Sequence, residues 1–174
     1  MPTTPLYWVI PNELAGMPMP FVHPGRRLNL GGALNDYEDE LPELYQAGIR
    51  GVVSLLNIPS DKGVYSSAGF SFLCLPVSDG AAPTLDQTEK FVKFADQHRA
   101  EHKPVAVHCE AGLGRTGTML AAYFVVKGES VDSAIYRVRS TERSAIETRQ
   151  QIEFLRQIAA RQRAVVKPLK PTDA

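Results

Sequence analysis

The chain is short of the features that mark special settings. It has two cysteines, one tryptophan, and no charge imbalance, since nineteen basic and nineteen acidic side chains give a formal net charge of zero. Two thiols cannot frame a disulfide-stapled fold, so the 174 residues depend on an apolar core, and that length suits one domain. Zero net charge excludes a whole-molecule field that would gather nucleic acid or an anionic membrane. No uninterrupted apolar run reaches the ~18 residues that cross a bilayer. Met1-Pro2-Thr3-Thr4-Pro5 has neither the basic region nor the apolar stretch of a signal peptide. The expectation is a cytoplasmic monomer with free thiols and with no nucleic-acid or membrane partner. Histidine is scarce as well. His23, His98, His102 and His108 form no ligand cluster, and no acidic residue is spaced to complete a zinc site with the i, i+4 pair His98 and His102, so neither metal nor cofactor is expected.

Against that background one stretch stands out, Val105-Ala106-Val107-His108-Cys109-Glu110-Ala111-Gly112-Leu113-Gly114-Arg115-Thr116-Gly117-Thr118, followed by the apolar run Met119 to Val126. It reads as a buried strand, a glycine-rich loop and a helix starting near Thr116. Glycines let successive backbone N–H groups turn inward, and a helix start adds unpaired donors and the positive end of a dipole. Arg115 contributes a planar fork suited to two phosphoryl oxygens. The same positive field favours the thiolate of Cys109, so nucleophile and phosphate would share one cradle formed by Glu110, Ala111, Gly112, Leu113, Gly114 and Arg115. Gly112 to Gly117 also spells the G-x-G-x-x-G of dinucleotide-binding folds. That reading requires a second parallel strand after the helix, with an acid roughly 20 residues on, whereas Asp132 falls in another helical pattern. A glycine turn without chemistry would leave the spacing of Cys109 and Arg115 unexplained.

The rest of the chain reads as follows. Tyr7 to Ile10 is a short strand stopped by Pro11, with Trp8 in the core. Pro18 to Gly32 is a loop in which Leu28-Asn29-Leu30 alone is strand-like, and His23, Arg26 and Arg27 form a basic rim or simply a solvated surface. Asn35 caps a helix to Ala47 that Gly48 stops. Ile49 to Leu56 and Phe70 to Val77 are strands joined by a loop over Asn57 to Gly69, with Cys74 as a small core residue. Thr84 and Gln87 form a capping box for a helix to His102 with Phe91, Phe94 and Ala95 on its apolar stripe. Ser130 caps a helix through Arg139. Thr148 and Gln151 form a second capping box, opening a last helix with Ile152, Leu155 and Ile158 inward. Asp79 lies in the loop after the Phe70 strand, thirty residues before Cys109, where neighbouring parallel strands would end on one face of the sheet. On the loop alone, a catalytic carboxyl and an Asx turn beside Gly80 are equally good readings.

His-Cys, five residues, Arg and then Thr, as His108, Cys109, Arg115 and Thr116, resembles the signature of the Cys-dependent protein tyrosine phosphatases. The likeness extends to Trp8-Val9-Ile10-Pro11, Leu14-Ala15-Gly16, Val53-Ser54-Leu55, Asp79 and Ser144-Ala145-Ile146-Glu147-Thr148, and is similar to the small atypical dual-specificity phosphatases of the VHZ type. The resemblance implies one α/β domain, residues 1–165, with a central mostly parallel sheet of about four to five strands flanked by helices on both faces. Residues 166–174 are expected to be a frayed tail. It implies a phosphomonoester hydrolase in which Cys109 is the nucleophile, Arg115 and the loop amides hold the phosphoryl oxygens, and Asp79 is the general acid. Gly80 departs from the aromatic residue that often follows this acid. Thr116 is placed to donate its hydroxyl to the Cys109 sulfur. His108, pointing away from the phosphate by strand alternation, braces the loop backbone. Gln151, or less well Gln150, positions the hydrolytic water.

The implied substrate is a phosphorylated protein or peptide bearing phosphotyrosine or phosphoserine/threonine, because the chain lacks the loops of a deep phosphotyrosine slot. Phosphoinositides or other small phosphorylated metabolites are the alternative. The loop has no Lys or Arg between Cys109 and Arg115 and adds Glu110, which does not help a multiply charged head group. A non-catalytic phosphate-binding module would ordinarily lack the Cys, the Arg or the acid. A rhodanese-like sulfur transferase has no use for Asp79 or Thr116.

Overall fold

The computed structural model describes residues 5–20, 36–58 and 61–166. The expectations for Leu28 to Leu30, for His23, Arg26 and Arg27, for the Asn35 cap and for the tail beyond Val166 lie outside these residues. Among them are five strands, β1 (Tyr7–Ile10), β2 (Leu14–Met17), β3 (Gly51–Ser54), β4 (Ser71–Cys74) and β5 (Val105–His108). The sheet order is β1-β2-β5-β3-β4, with β1 antiparallel to β2 and every other pair parallel. The helices are α1 (Asp36–Gln46), α2 (Asp61–Ser67), α3 (Leu85–Ala100), α4 (Gly114–Val126), α5 (Val131–Thr141) and α6 (Arg149–Val166). This is a single α/β domain with a mostly parallel sheet covered on both faces.

β5 lies between β2 and β3, in register Met17↔His108 and Ser54↔His108. Its Val-Ala-Val run is wholly buried, as a strand covered on both faces must be. Alternation sorts its side chains. Val105 and Val107 join the larger core with Phe91, Leu120, Tyr123 and Leu155, whereas Ala106 faces the smaller core with Leu44, Val52, Tyr65 and Phe70. α4 is buried from Gly114 to Val125, the mark of a helix apolar all round. Truncating Leu120 there to alanine removes packing worth roughly 2–5 kcal/mol.

The expected capping boxes form. Thr84 Oγ1 accepts from the Gln87 N–H at 3.2 Å while the Thr84 N–H donates to Gln87 Oε1 at 2.9 Å. Ser130 caps α5 by accepting from Ser133 N–H at 3.2 Å. Four expectations need correction. Residues 61–67 are helix α2 rather than loop, despite Gly63 and two serines, because Tyr65 inserts fully into the smaller core. β4 is shorter than expected, since Pro76 has no N–H for the ladder, although Leu75 and Val77 still donate to Ser54 O and Leu55 O at 2.9 and 3.0 Å. Cys74 is exposed, not core. It ends an edge strand with a neighbour on one side only, and its thiol donates to Leu56 O at 3.3 Å. β4 is also not beside β5, for β3 lies between them. No strand follows β5 among the described residues, so the dinucleotide-binding unit has no second half.

Candidate active site

The chain leaves β5 at His108, turns through residues 109–113, and enters α4 at Gly114. A loop cradles an anion only if its carbonyls turn away and its N–H groups turn in. Four loop carbonyls are drawn outward by named donors. Cys109 O lies 3.0 Å from His108 Nδ1, Glu110 O accepts from Met19 N–H at 2.9 Å, Gly112 O accepts from the Tyr7 hydroxyl at 2.6 Å, and Leu113 O accepts from Gly117 N–H at 2.8 Å. Among the described residues, no backbone carbonyl accepts from the N–H groups of residues 110–113. Gly112 has φ +77, and a Cβ on it would sit 2.4 Å from Met17 O. Only glycine fits that turn against β2.

Tyr7 was not visible as a site residue from sequence. Its ring fills the space left by Gly16, where a Cβ would come within 2.1 Å of Tyr7 Cζ, and its hydroxyl reaches a loop 105 residues away. Burial, then the neighbouring Cys109 and Glu142, raise its phenol pKa well above the ordinary value, so it remains a hydrogen-bond donor. Tyr65 is a second such residue. His108 is fully buried, with Nε2 3.2 Å from the Tyr65 hydroxyl. A carbonyl only accepts, so Nδ1 carries the proton that goes to Cys109 O. The ring thus points toward the smaller core and braces the loop from behind.

Cys109 is 2% exposed, at the base of the loop. Arg115, buried in the first turn of α4, donates from Nη1 to Val77 O at 3.1 Å and pairs through Nη2 with Asp79 Oδ1, also at 3.1 Å. The Asp79 side chain is 92% exposed, at the mouth. It reaches Arg115 because the chain beyond β4 keeps pairing past the end of β3 before turning. That turn is closed by Ala81 N–H to Ser78 O at 3.1 Å, with Gly80 at φ +71. The carboxyl is committed to Arg115 rather than to an Asx turn. Thr116 Oγ1 is buried with no hydrogen-bond partner among the described residues.

A strap formed by residues 142–148 closes the other side. Ile146 adopts φ +64, a conformation costing a β-branched residue on the order of 1–3 kcal/mol. Arg139 holds it there, donating from Nε to Ala145 O at 3.0 Å and from Nη2 to Ile146 O at 2.8 Å. At the start of α6, Gln151 is fully buried. Its Oε1 accepts from Glu147 and Thr148 N–H at 2.7 and 3.1 Å, which fixes Nε2 as the donor to Ala81 O at 3.3 Å. Nε2 would lie 3.0 Å from a Cβ on Gly114, so this amide sits against the loop. Thr148 accepts from Gln151 N–H at 3.2 Å and donates its own hydroxyl to Gly80 O at 2.9 Å. A cavity of about 1390 Å³ bordered by Leu85, Val126, Val131 and Ile158 contains none of these residues.

Residues 29–129, more than half of the chain, match the family model described as the DSP-PTPase phosphatase of polymorphic toxin systems. The chain belongs to this family. It is thus a small atypical dual-specificity phosphatase of the Cys-dependent protein tyrosine phosphatase superfamily. It is 32% identical over 92 residues to the tyrosine-protein phosphatase cdcA of Emericella nidulans, covering 52% of this chain and 16% of that protein. It is 29% identical over 116 residues to the human dual specificity protein phosphatase CDC14A, covering 67% of this chain and 19% of that one. The matched segments thus span less than a fifth of either relative. Among solved structures, Tk-PTP in its active form superposes with a TM-score of 0.74 at 26% identity, over 90% of this chain and 97% of that one.

Proposed function

We propose that this DSP-PTPase phosphatase hydrolyses phosphomonoesters on phosphorylated proteins or peptides, accepting both phosphotyrosine and phosphoserine/threonine, through a cysteinyl-phosphate intermediate. One observation carries the reading. Four carbonyls of the loop over Cys109, those of Cys109, Glu110, Gly112 and Leu113, are drawn outward, with the Arg115 fork and the Asp79 carboxyl joined at its mouth.

In the first step the Cys109 thiolate attacks phosphorus. An S–P bond forms, the bond to the leaving oxygen breaks, and protonated Asp79 gives that oxygen its proton. The incoming phosphoryl oxygens take over the Arg115 fork, which frees Asp79 from its ion pair to face the leaving group. Charge on the equatorial oxygens is met by the amides of Glu110 to Arg115 and by the guanidinium. In the second step a water attacks phosphorus and gives a proton to Asp79 while the S–P bond breaks. The unpartnered Thr116 hydroxyl then has an acceptor in the departing thiolate. Gln151 Nε2 has one hydrogen left after its bond to Ala81 O, available to hold that water against the loop. Exposed Glu110 and Ala111 at the rim support a shallow mouth able to take serine and threonine as well as tyrosine esters.

The test is hydrolysis of a small aryl phosphate by reduced protein across pH 4.5 to 8.5, with chelator present. Cys109→Ser abolishes turnover. Asp79→Asn loses on the order of 10² to 10⁴ in kcat. Absence of activity in the reduced wild type overturns the reading.

A further inference from the structure

The turn that carries Asp79 is not left to find its own position. Thr148 donates its hydroxyl to Gly80 O at 2.9 Å, Gln151 Nε2 donates to Ala81 O at 3.3 Å, and Arg115 Nη1 donates to Val77 O at 3.1 Å. Three donors from α4 and the start of α6 therefore fix three carbonyls that bracket the candidate acid. Two of these donors already have a place in the proposed chemistry. Thr148 has none, since it is half-buried and its Cγ2 methyl lies 3.9 Å from where a Cβ on Gly80 would be. The capping box accounts for its oxygen as acceptor of the Gln151 N–H. It does not account for where the hydroxyl hydrogen goes, which is to a loop 68 residues away.

We propose that Thr148 is a positioning residue for the general acid, a latch that keeps the Ser78–Ala81 turn closed over the cradle. The proposal rests on the phosphatase reading above. With the latch in place, Asp79 reaches the leaving oxygen from a turn already in position. Without it the turn samples open positions and proton delivery becomes partial. The loss then falls on esters whose leaving group needs a proton, and little on those whose leaving group departs unaided. Loss of the helix cap instead lowers the folded fraction, which affects every ester alike.

The experiment compares kcat/KM, which reports the chemistry only through departure of the leaving group, for phenyl phosphate, a poor leaving group, and for an aryl phosphate whose phenol is strongly acidic. It uses wild type, Thr148→Val, Thr148→Ser and Thr148→Asp. The valine removes the hydroxyl at constant shape, the serine keeps it, and the aspartate keeps a cap acceptor for Gln151 N–H but has no hydrogen for Gly80 O. The expected result is a shift of about tenfold in the ratio of the two kcat/KM values for the valine and aspartate variants, with the serine variant restoring it. Amide hydrogen exchange at Ala81, whose N–H closes the turn on Ser78 O, is measured alongside and should be faster in the valine and aspartate variants. A ratio that stays constant, or exchange at Ala81 that does not change, overturns the latch. If wild type hydrolyses neither ester, it is the phosphatase reading that fails. The exchange arm then decides alone whether Thr148 holds the turn.

Discussion

Replacing Tyr7 with phenylalanine tests the idea that the cradle's shape is enforced from a remote strand. The ring remains in the space beside Gly16, so no cavity opens. The single loss is the 2.6 Å hydrogen bond to Gly112 O. A buried carbonyl left without its donor costs about 1–3 kcal/mol. At about 2–4 °C per kcal/mol for a domain of this size, Tm should fall by roughly 2–12 °C. The activity effect follows from geometry. Turning the Gly112–Leu113 peptide so that its oxygen finds another partner swings the Leu113 N–H out of the cradle. The bond biases this peptide by about 1.4 kcal/mol, or tenfold, so kcat/KM should fall by up to about tenfold. There is a pH signature as well. The folded-state phenol pKa lies above its unfolded value of ~10. Between those values the unfolded chain has lost a proton that the folded chain keeps, so this group's stabilisation is complete below pH ~10 and declines above it. One proton corresponds to about 1.4 kcal/mol per pH unit. Tyr7→Phe should therefore flatten the alkaline decline of stability relative to wild type. Denaturant unfolding from pH 8 to 11 and steady-state kinetics on an aryl phosphate measure all three effects. Unchanged Tm, unchanged kcat/KM and parallel alkaline slopes would refute the role assigned to Tyr7.

Gly112→Ala adds a methyl 2.4 Å from Met17 O at φ +77, so the loop must reshape. Phosphate protection against heat should be lost even if the variant still unfolds cooperatively in calorimetry. Tyr65→Phe removes the hydroxyl 3.2 Å from His108 Nε2 while leaving the ring pair with Phe72. Stability should drop by about 1 kcal/mol, with a few-fold loss of kcat and unchanged KM, in urea titration and kinetics. For Asp96, burial alone would raise the carboxyl pKa, but hydrogen bonds from Lys127 and Tyr123 outweigh it and hold the group below the usual carboxylate range. Its contribution to stability is then present above pH ~4 and lost as pH falls through the folded-state value. Asp96→Asn should accordingly show a shallower acid decline than wild type in unfolding midpoints from pH 5 to 2.5.

What the sequence determined by itself is contiguous. Cys109, the glycines and Arg115 occupy one unbroken stretch of chain, and backbone geometry acts over just such distances, so the turn into α4 was legible from residue order alone. The caps at Thr84, Ser130 and Thr148 were legible for the same reason, since donor and acceptor lie three residues apart. The buried β5 was marked by its apolar run. The tertiary structure decided everything that depends on a partner far along the chain. Nothing in Tyr7 announces a loop 105 residues away, nor in Tyr65 a strand residue 43 away, because these pairings exist only once β1 lies beside β2 and the Tyr65 side chain enters the smaller core beside His108. α2 itself was hidden, because the burial of Tyr65 outweighs the weak helical preference of its glycine and serines. Cys74 was misplaced because a strand's composition does not say whether it lies at the edge. The position of Asp79 depended on β3 intervening between β4 and β5 and on the turn being held by Arg115, Gln151 and Thr148. Local spacing specifies the groups that could do chemistry. Strand order and long-range hydrogen bonds set which of them meet.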